Sequence, residues 1–138
     1  MCNMAEFPKE YEKLGIQFRI LGIYSDDPGF YFLRKAVIMY YSKYCLKEEE
    51  DVSEEEAYKR VINNSFYEEL KRGMLIPANR DIAKKLKKLD RDATMQYMIE
   101  TLKVSNIIND KDNRKNKRSV EVDVARFIIN LAKQLKTM

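Results

Sequence analysis

Histidine is absent from the chain, and cysteine is limited to two residues. Without histidine, zinc clusters that use imidazole and His-dependent acid–base catalysis are excluded. Cys2 and Cys45 form no CxxC pair, and the position of Cys45 at the end of an apolar stretch predicts a buried thiol. The chain also has no glycine-rich phosphate loop and no paired acids beside a base. We therefore expect no metal, no cofactor and no enzymatic activity.

Glycine and proline are also scarce, with four and three residues in a chain of 138. Few turn-forming residues predict few, long elements. Hydrophobic residues make up 45% of the sequence and charged residues 35%, which is typical of a globular chain. The sequence predicts a disordered start over residues 1–5 and a single domain over residues 6–138. The expected fold is all-α, a compact bundle of about six to seven helices that contains a helix-turn-helix.

Long hydrophobic runs are missing too. None approaches the roughly 20 residues that a membrane span needs. The first 25 residues contain Glu6, Glu10 and Glu12 and lack an uninterrupted apolar block, which argues against a signal peptide. We expect no membrane association and, given the cysteine usage, a reducing cytoplasm.

Capping residues and apolar periodicity indicate where the helices begin and end. The predicted starts are Pro8, the Asp26–Asp27 pair before Pro28, Ser53, Ser65 and Ser119. Gly22 is a predicted helix stop. Residues 29–46 are apolar on nearly every side, which predicts a helix in the centre of the bundle.

Residues 79–108 are typical of two helices joined by a short polar turn. Apolar residues recur at helical spacing at Ile82, Ala83, Leu86 and Leu89, and again at Met95, Met98, Ile99 and Leu102. Cations crowd the first helix and the turn. A short helix, a tight turn and a second helix with cations at the junction is the layout of a helix-turn-helix that binds nucleic acid.

The charges are segregated along the chain, although the formal net charge is only +4. Residues 47–56 carry a net charge of −6, residues 80–91 carry +4, and residues 111–118 carry +4. One basic block lies in the first helix and the turn of the proposed helix-turn-helix, the other follows its second helix, and the acidic block lies elsewhere. A polyanion-binding surface needs this kind of separation.

Three segments together resemble a known family. Residues 21–41, LGIYSDDPGFYFLRKAVIMYY, resemble the opening of the C-terminal effector domain of the sporulation master response regulator of endospore-forming bacteria. In that family a Leu-Gly-Ile/Val turn leads to Gly-aromatic-x-aromatic-Leu-Arg and an apolar helix. Residues 81–85, DIAKK, look like the first helix of the family's helix-turn-helix, and residues 125–135, ARFIINLAKQL, are similar to its closing helix.

The resemblance covers roughly residues 20–136. It implies an all-helical DNA-binding transcription regulator that docks as a dimer on short sites of double-stranded DNA near promoters. No phospho-receiver domain precedes residue 20, so we expect a free-standing effector. The family's recognition helix is rich in arginine, and the matching outward positions here carry other residues.

The expected mechanism is stoichiometric binding. The predicted phosphate contacts are Arg80, Lys84, Lys85, Lys87, Lys88, Arg91, Arg114, Lys115, Lys117 and Arg118. The predicted base contacts are Thr94, Gln96, Tyr97, Glu100 and Thr101. The Gln96 amide suits adenine because it can both donate to and accept from that base edge.

A second hypothesis is a helical protein-interaction module that does not bind DNA. In this hypothesis the tyrosine-rich helix 28–45 or the helix 119–136 docks a partner, or sequesters a related regulator in mixed dimers. Duplex binding that weakens steeply with salt distinguishes the first hypothesis from the second.

Overall fold

The computed structural model describes residues 7–24, 28–46, 52–72, 80–109 and 116–137, with only the backbone for residues 80–83 and 117. These segments contain helices and no strand, which confirms the predicted all-α bundle. The helices are α1 (Pro8–Ile20), α2 (Pro28–Tyr40), α3 (Glu54–Ile62), α4 (Asn64–Arg72), α5 (Arg80–Lys87), α6 (Arg91–Val104) and α7 (Lys117–Thr137). None of them combines the length and the apolar character that crossing a bilayer requires. The predicted disordered start over 1–5 and the predicted cap at Asp26–Asp27 lie outside the described residues.

The centre of the bundle is α2, as its uniformly apolar sequence predicts. Phe32, Leu33 and Val37 are fully buried, and α2 packs most extensively against α6 and α7. The helix continues as one π-helical turn, Tyr41–Cys45, and the thiol of Cys45 is buried as expected. Both α6 and α7 therefore contribute one face to a shared core.

A glycine sets the distance between α2 and α6. A Cβ placed on Gly29 would lie 1.8 Å from Thr101 Oγ1 and 2.7 Å from the carbonyl oxygen of Tyr97. Both separations are far below van der Waals contact, so only glycine fits at this crossing. The close approach places Thr101 in the interface between the two helices.

Two helix ends agree with the sequence. Gly22 follows the end of α1 with a φ of 78°, a left-handed conformation that favours glycine, and Ile23 N donates to Phe18 O at 2.8 Å. Ser53 caps α3, where its Oγ accepts a hydrogen bond from Glu56 N at 3.2 Å.

Two predicted helix starts are wrong, each by about two residues. Ser65 is not the cap of α4, because Asn63 Oδ1 accepts from Ser65 N at 2.9 Å and the helix begins at Asn64. Ser119 is likewise inside α7, since Asn116 Oδ1 accepts from Ser119 N at 2.9 Å. In both places an asparagine upstream of the serine satisfies the first-turn N–H group.

Candidate nucleic-acid interface

The predicted pair of helices joined by a polar turn is present as α5 and α6. Leu89 N donates to Leu86 O at 3.3 Å in the turn, and Asp90 Oδ1 then caps α6 by accepting from Ala93 N at 2.8 Å. The Lys71 ammonium of α4 donates to the carbonyl of Leu89. The end of α4 therefore fixes the turn between α5 and α6.

Four of the predicted phosphate-binding cations form one exposed set on α5 and the residue that follows it. Lys84, Lys85, Lys87 and Lys88 are all exposed, and none of them pairs with a carboxylate in the described segments. We call these four residues the lysine surface. Arg80 begins α5, but its side chain lies outside the described atoms.

The basic character extends from the lysine surface onto α4. A cleft of about 490 Å³ lies between the two helices and is lined by Glu68, Lys71, Arg72 and Lys87. Three of these four described lining residues are cations. Because Lys71 and Arg72 occupy the last turn of α4, their charges are also favoured by the helix dipole there.

Arg91 does not belong to this surface, and its prediction as a phosphate contact is wrong. Its Nη1 and Nη2 donate to the two carboxylate oxygens of Glu121 at 2.6 and 2.7 Å. Its Nε donates to the carbonyl of Ile62 at 3.2 Å. The side chains of Arg91 and Glu121 are only 15% and 8% exposed. The hydrogen bonds that Arg91 donates to Glu121 raise the pKa of Arg91 above its ordinary value. Arg91 therefore ties α6 to α7 and to the end of α3.

Two predicted base contacts on α6 are buried, and these predictions are also wrong. Thr94 is 0% exposed and its Oγ1 donates to the carbonyl of Asp90 at 2.8 Å. Thr101 is 2% exposed at the crossing with Gly29. Tyr97 is half-buried, with its ring centroid 6.1 Å from that of Phe32. A hydroxyl inside the bundle cannot contact a base edge.

The exposed strip of α6 is acidic. It contains Asp92, Gln96 and Glu100, and Gln96 Nε2 donates to Glu100 Oε1 at 2.7 Å. Gln96 and Glu100 are therefore accessible as predicted, but the Gln96 amide already has an intrahelical partner. Two carboxylates on this strip repel a phosphate backbone, so α6 lacks the electrostatics of a groove-binding helix.

The second basic block is only partly described. Arg114 and Lys115 lie outside the described residues. Lys117 and Arg118 precede the predicted helix start at Ser119, but α7 begins at Lys117, so both residues lie in the helix. Arg118 is exposed on the first turn of α7.

One cation with unusual surroundings was not predicted as a site residue. The Arg34 guanidinium of α2 lies 4.6 Å from the ring centroid of Tyr11 and 5.6 Å from that of Phe30. Its Nε is buried without a hydrogen-bond acceptor, and burial lowers the pKa of Arg34. The signal in the sequence is an Arg-Lys pair, Arg34 and Lys35, within an otherwise apolar stretch, which by itself does not specify a ligand.

Comparison with protein-family models, with curated proteins and with solved structures finds no match for this chain. The resemblance to the sporulation effector domain therefore stays an expectation, and the function is argued from the geometry of the chain.

Proposed function

We propose that this chain binds duplex DNA through the phosphate backbone, and that the lysine surface provides the main contacts. The observation that supports the proposal is the set of four exposed ammonium groups on α5 and the residue that follows it, each without a carboxylate partner among the described side chains. Duplex DNA carries about one negative charge per 1.7 Å of its axis, so a compact cationic surface gains affinity by releasing condensed counterions.

The cleft between α4 and α5 supports the same target. Arg72 and Lys87 line it, so cations of α4 lie next to those of α5 and widen the surface available to a phosphate strand. The resemblance to a DNA-binding effector domain points in the same direction.

The proposed binding does not depend on base sequence. Two of the five predicted base contacts are buried and a third is half-buried, and the exposed strip of α6 carries Asp92 and Glu100. Phosphate contacts fix position and orientation but carry no direct sequence information. We therefore propose a DNA-binding helical domain in which α4 packs against the helix that carries the lysine surface, and α6 does not enter the major groove.

The test is fluorescence anisotropy with two labelled duplexes of unrelated sequence. Each phosphate contact contributes about −0.9 to the slope of log K against log[salt], so four contacts predict a slope of about −3.6. The two duplexes should bind equally well. No duplex binding at low salt would reject the proposal and favour the protein-interaction module.

A matched pair of variants isolates the lysine surface. Lys84, Lys85 and Lys88 replaced together by Gln should reduce the magnitude of the slope by about 3. The control replaces the exposed Lys59, Lys133 and Lys136 by Gln, which causes the same loss of three charges on other elements. Equal losses of affinity in the two variants would mean that net charge, and not this surface, determines binding.

A third variant tests whether α6 contacts bases. Gln96→Ala should leave the affinity for both duplexes unchanged, because the Gln96 amide already donates a hydrogen bond to Glu100 on the acidic strip. A change in preference between the two duplexes would show that α6 contacts base edges, and would contradict sequence-independent binding.

A further inference from the structure

Three large apolar side chains are the most exposed of their kind in the described segments. Ile20 is 71% exposed, Tyr24 is 69% exposed and Val104 is 75% exposed. Single exposed apolar residues are ordinary on a protein surface, whereas neighbouring ones indicate an interaction surface. Whether these three residues indicate an interaction surface therefore depends on whether they lie near one another.

A hydrogen bond places these three residues at the same end of the bundle. Ser105 Oγ, at the end of α6, donates to the carbonyl of Gly22 at 3.2 Å, in the turn after α1. Val104 precedes Ser105 directly, and Ile20 and Tyr24 each lie two residues from Gly22. The left-handed conformation of Gly22 turns the chain sharply at this point. The exposed residues are thus brought together by the contact between the two chain segments.

Two cations flank the three apolar residues in sequence. Arg19 is exposed and Lys103 is half-buried. Neither makes an ion pair within the part of the chain that is described. We call Arg19, Ile20, Tyr24, Lys103 and Val104 the apolar–basic end. An apolar surface beside unpaired cations is complementary to a segment that combines apolar side chains with acids.

The same chain carries such a segment. Val52 is an exposed apolar residue, and α3 opens two residues later with three consecutive exposed glutamates. Glu55 and Glu56 have no ion-pair partner among the described residues, and Glu54 lies within electrostatic reach of Arg126. We call Val52, Glu54, Glu55 and Glu56 the acidic segment.

We propose that the apolar–basic end of one copy of this chain docks on the acidic segment of a second copy. The two surfaces lie on different elements, so the contact is heterologous and a dimer keeps one unused surface of each kind, one on each copy. The proposal does not rest on DNA binding, because the lysine surface takes no part in it.

The small size of the apolar–basic end sets the expected strength. A stable protein interface buries about 800 Å² on each partner, and a few exposed side chains fall well short of that. The association is therefore weak, with a dissociation constant of about 10 μM to 1 mM, and weakens further as salt screens the flanking charges.

The test is sedimentation equilibrium of the whole chain from about 10 μM to about 1 mM, with two charge-reversal variants. The first combines Arg19→Glu with Lys103→Glu, and the second combines Glu55→Lys with Glu56→Lys. In a solution of either variant alone, the apolar–basic end and the acidic segment carry charges of the same sign. Each variant should therefore associate at least about 10-fold more weakly than the wild type. In a mixture of the two variants the unaltered surfaces still match, and the reversed surfaces again carry opposite charges, so the mixture should recover association toward that of the wild type.

Two further variants keep the result interpretable. The control variant combines Lys133→Glu with Lys136→Glu, which makes the same charge change as the first variant but on exposed residues of α7. It should associate as the wild type does. Val104→Ser removes apolar area from a residue that is mostly in solvent and should weaken association without loss of helical circular dichroism. Three outcomes would overturn the proposal: a wild type that stays monomeric to about 1 mM, a mixture that stays monomeric, or an equal loss in the α7 control.

Discussion

Replacing Arg91 by Met should destabilise the fold severely while leaving the lysine surface intact. The arginine makes two short hydrogen bonds to Glu121 and a third to the carbonyl of Ile62, and its guanidinium lies 5.8 Å from the ring centroid of Tyr67. With a side chain only 15% exposed, most of this network is shielded from water. Removing the cation leaves the Glu121 carboxylate buried without its partner.

The magnitude follows from that unpaired carboxylate. Breaking one half of a buried ion pair typically costs about 3–5 kcal/mol, and residual exposure places this pair near 3 kcal/mol. At about 2.1 cal/mol/K of unfolding entropy per residue, 3 kcal/mol lowers the Tm of a chain of this length by about 10 °C. The single variant Glu121→Leu should lose somewhat less, because the guanidinium then keeps only the exposed Asp92 as a carboxylate partner, at 2.8 Å.

Urea unfolding of both single variants and of the double variant provides the assay. Replacing both charges by apolar residues of similar size is often nearly neutral, so the double variant should recover about 2 kcal/mol or more relative to the sum of the single losses. An Arg91→Met variant that loses less than about 1 kcal/mol, or single losses that simply add, would refute the assignment of Arg91 as a structural residue.

Two more predictions concern the packing of α2 and α4. Gly29→Ala should lower the free energy of unfolding by about 1–3 kcal/mol, because the added Cβ overlaps Thr101. Gly15→Ala is the control: a Cβ there meets nothing within 4 Å, so this variant should stabilise α1 by about 0.5–1 kcal/mol. Equal effects of the two variants in thermal unfolding would contradict the close crossing of α2 and α6. Burial raises the pKa of Tyr67 in the folded state, so the neutral phenol is favoured there, and its contribution to stability should be constant below about pH 10 and fall above it. Tyr67→Phe should make that alkaline loss shallower in urea titrations between about pH 10 and 12, and an unchanged slope would contradict it.

Local signals in the sequence predicted most helix positions correctly. Gly22 and Ser53 mark helix ends because their roles depend only on adjacent backbone groups. The two misplaced starts, at Ser65 and Ser119, arose because asparagine competes with serine for the same N–H groups. Such competition is decided by backbone geometry that a sequence pattern does not contain.

The site was harder to predict because polar residues can be buried at little cost. Thr94 satisfies its hydroxyl within its own helix, by donating to the carbonyl four residues earlier, so its polarity does not require solvent. Glu121, the partner of Arg91, is 30 residues away in sequence, and only the packing of α7 beside α6 brings them together. By contrast, the exposure of the four lysines could be predicted, since nothing local or distant neutralises them in the described segments.

The segregated charges of this chain are compatible with both DNA binding and self-association, and salt separates the two processes physically. Counterion release lowers log K linearly with log[salt] over the whole range, because the contacts are purely ionic. The contact between the apolar–basic end and the acidic segment loses its charge attraction as the Debye length falls from about 10 Å at 0.1 M to about 3 Å at 1 M. The apolar burial of Ile20, Tyr24 and Val104 does not depend on that screening, so self-association should level off at high salt instead of vanishing. Parallel salt series of DNA binding and sedimentation therefore assign each process to its own surface, and a common slope would mean that a single charged surface serves both.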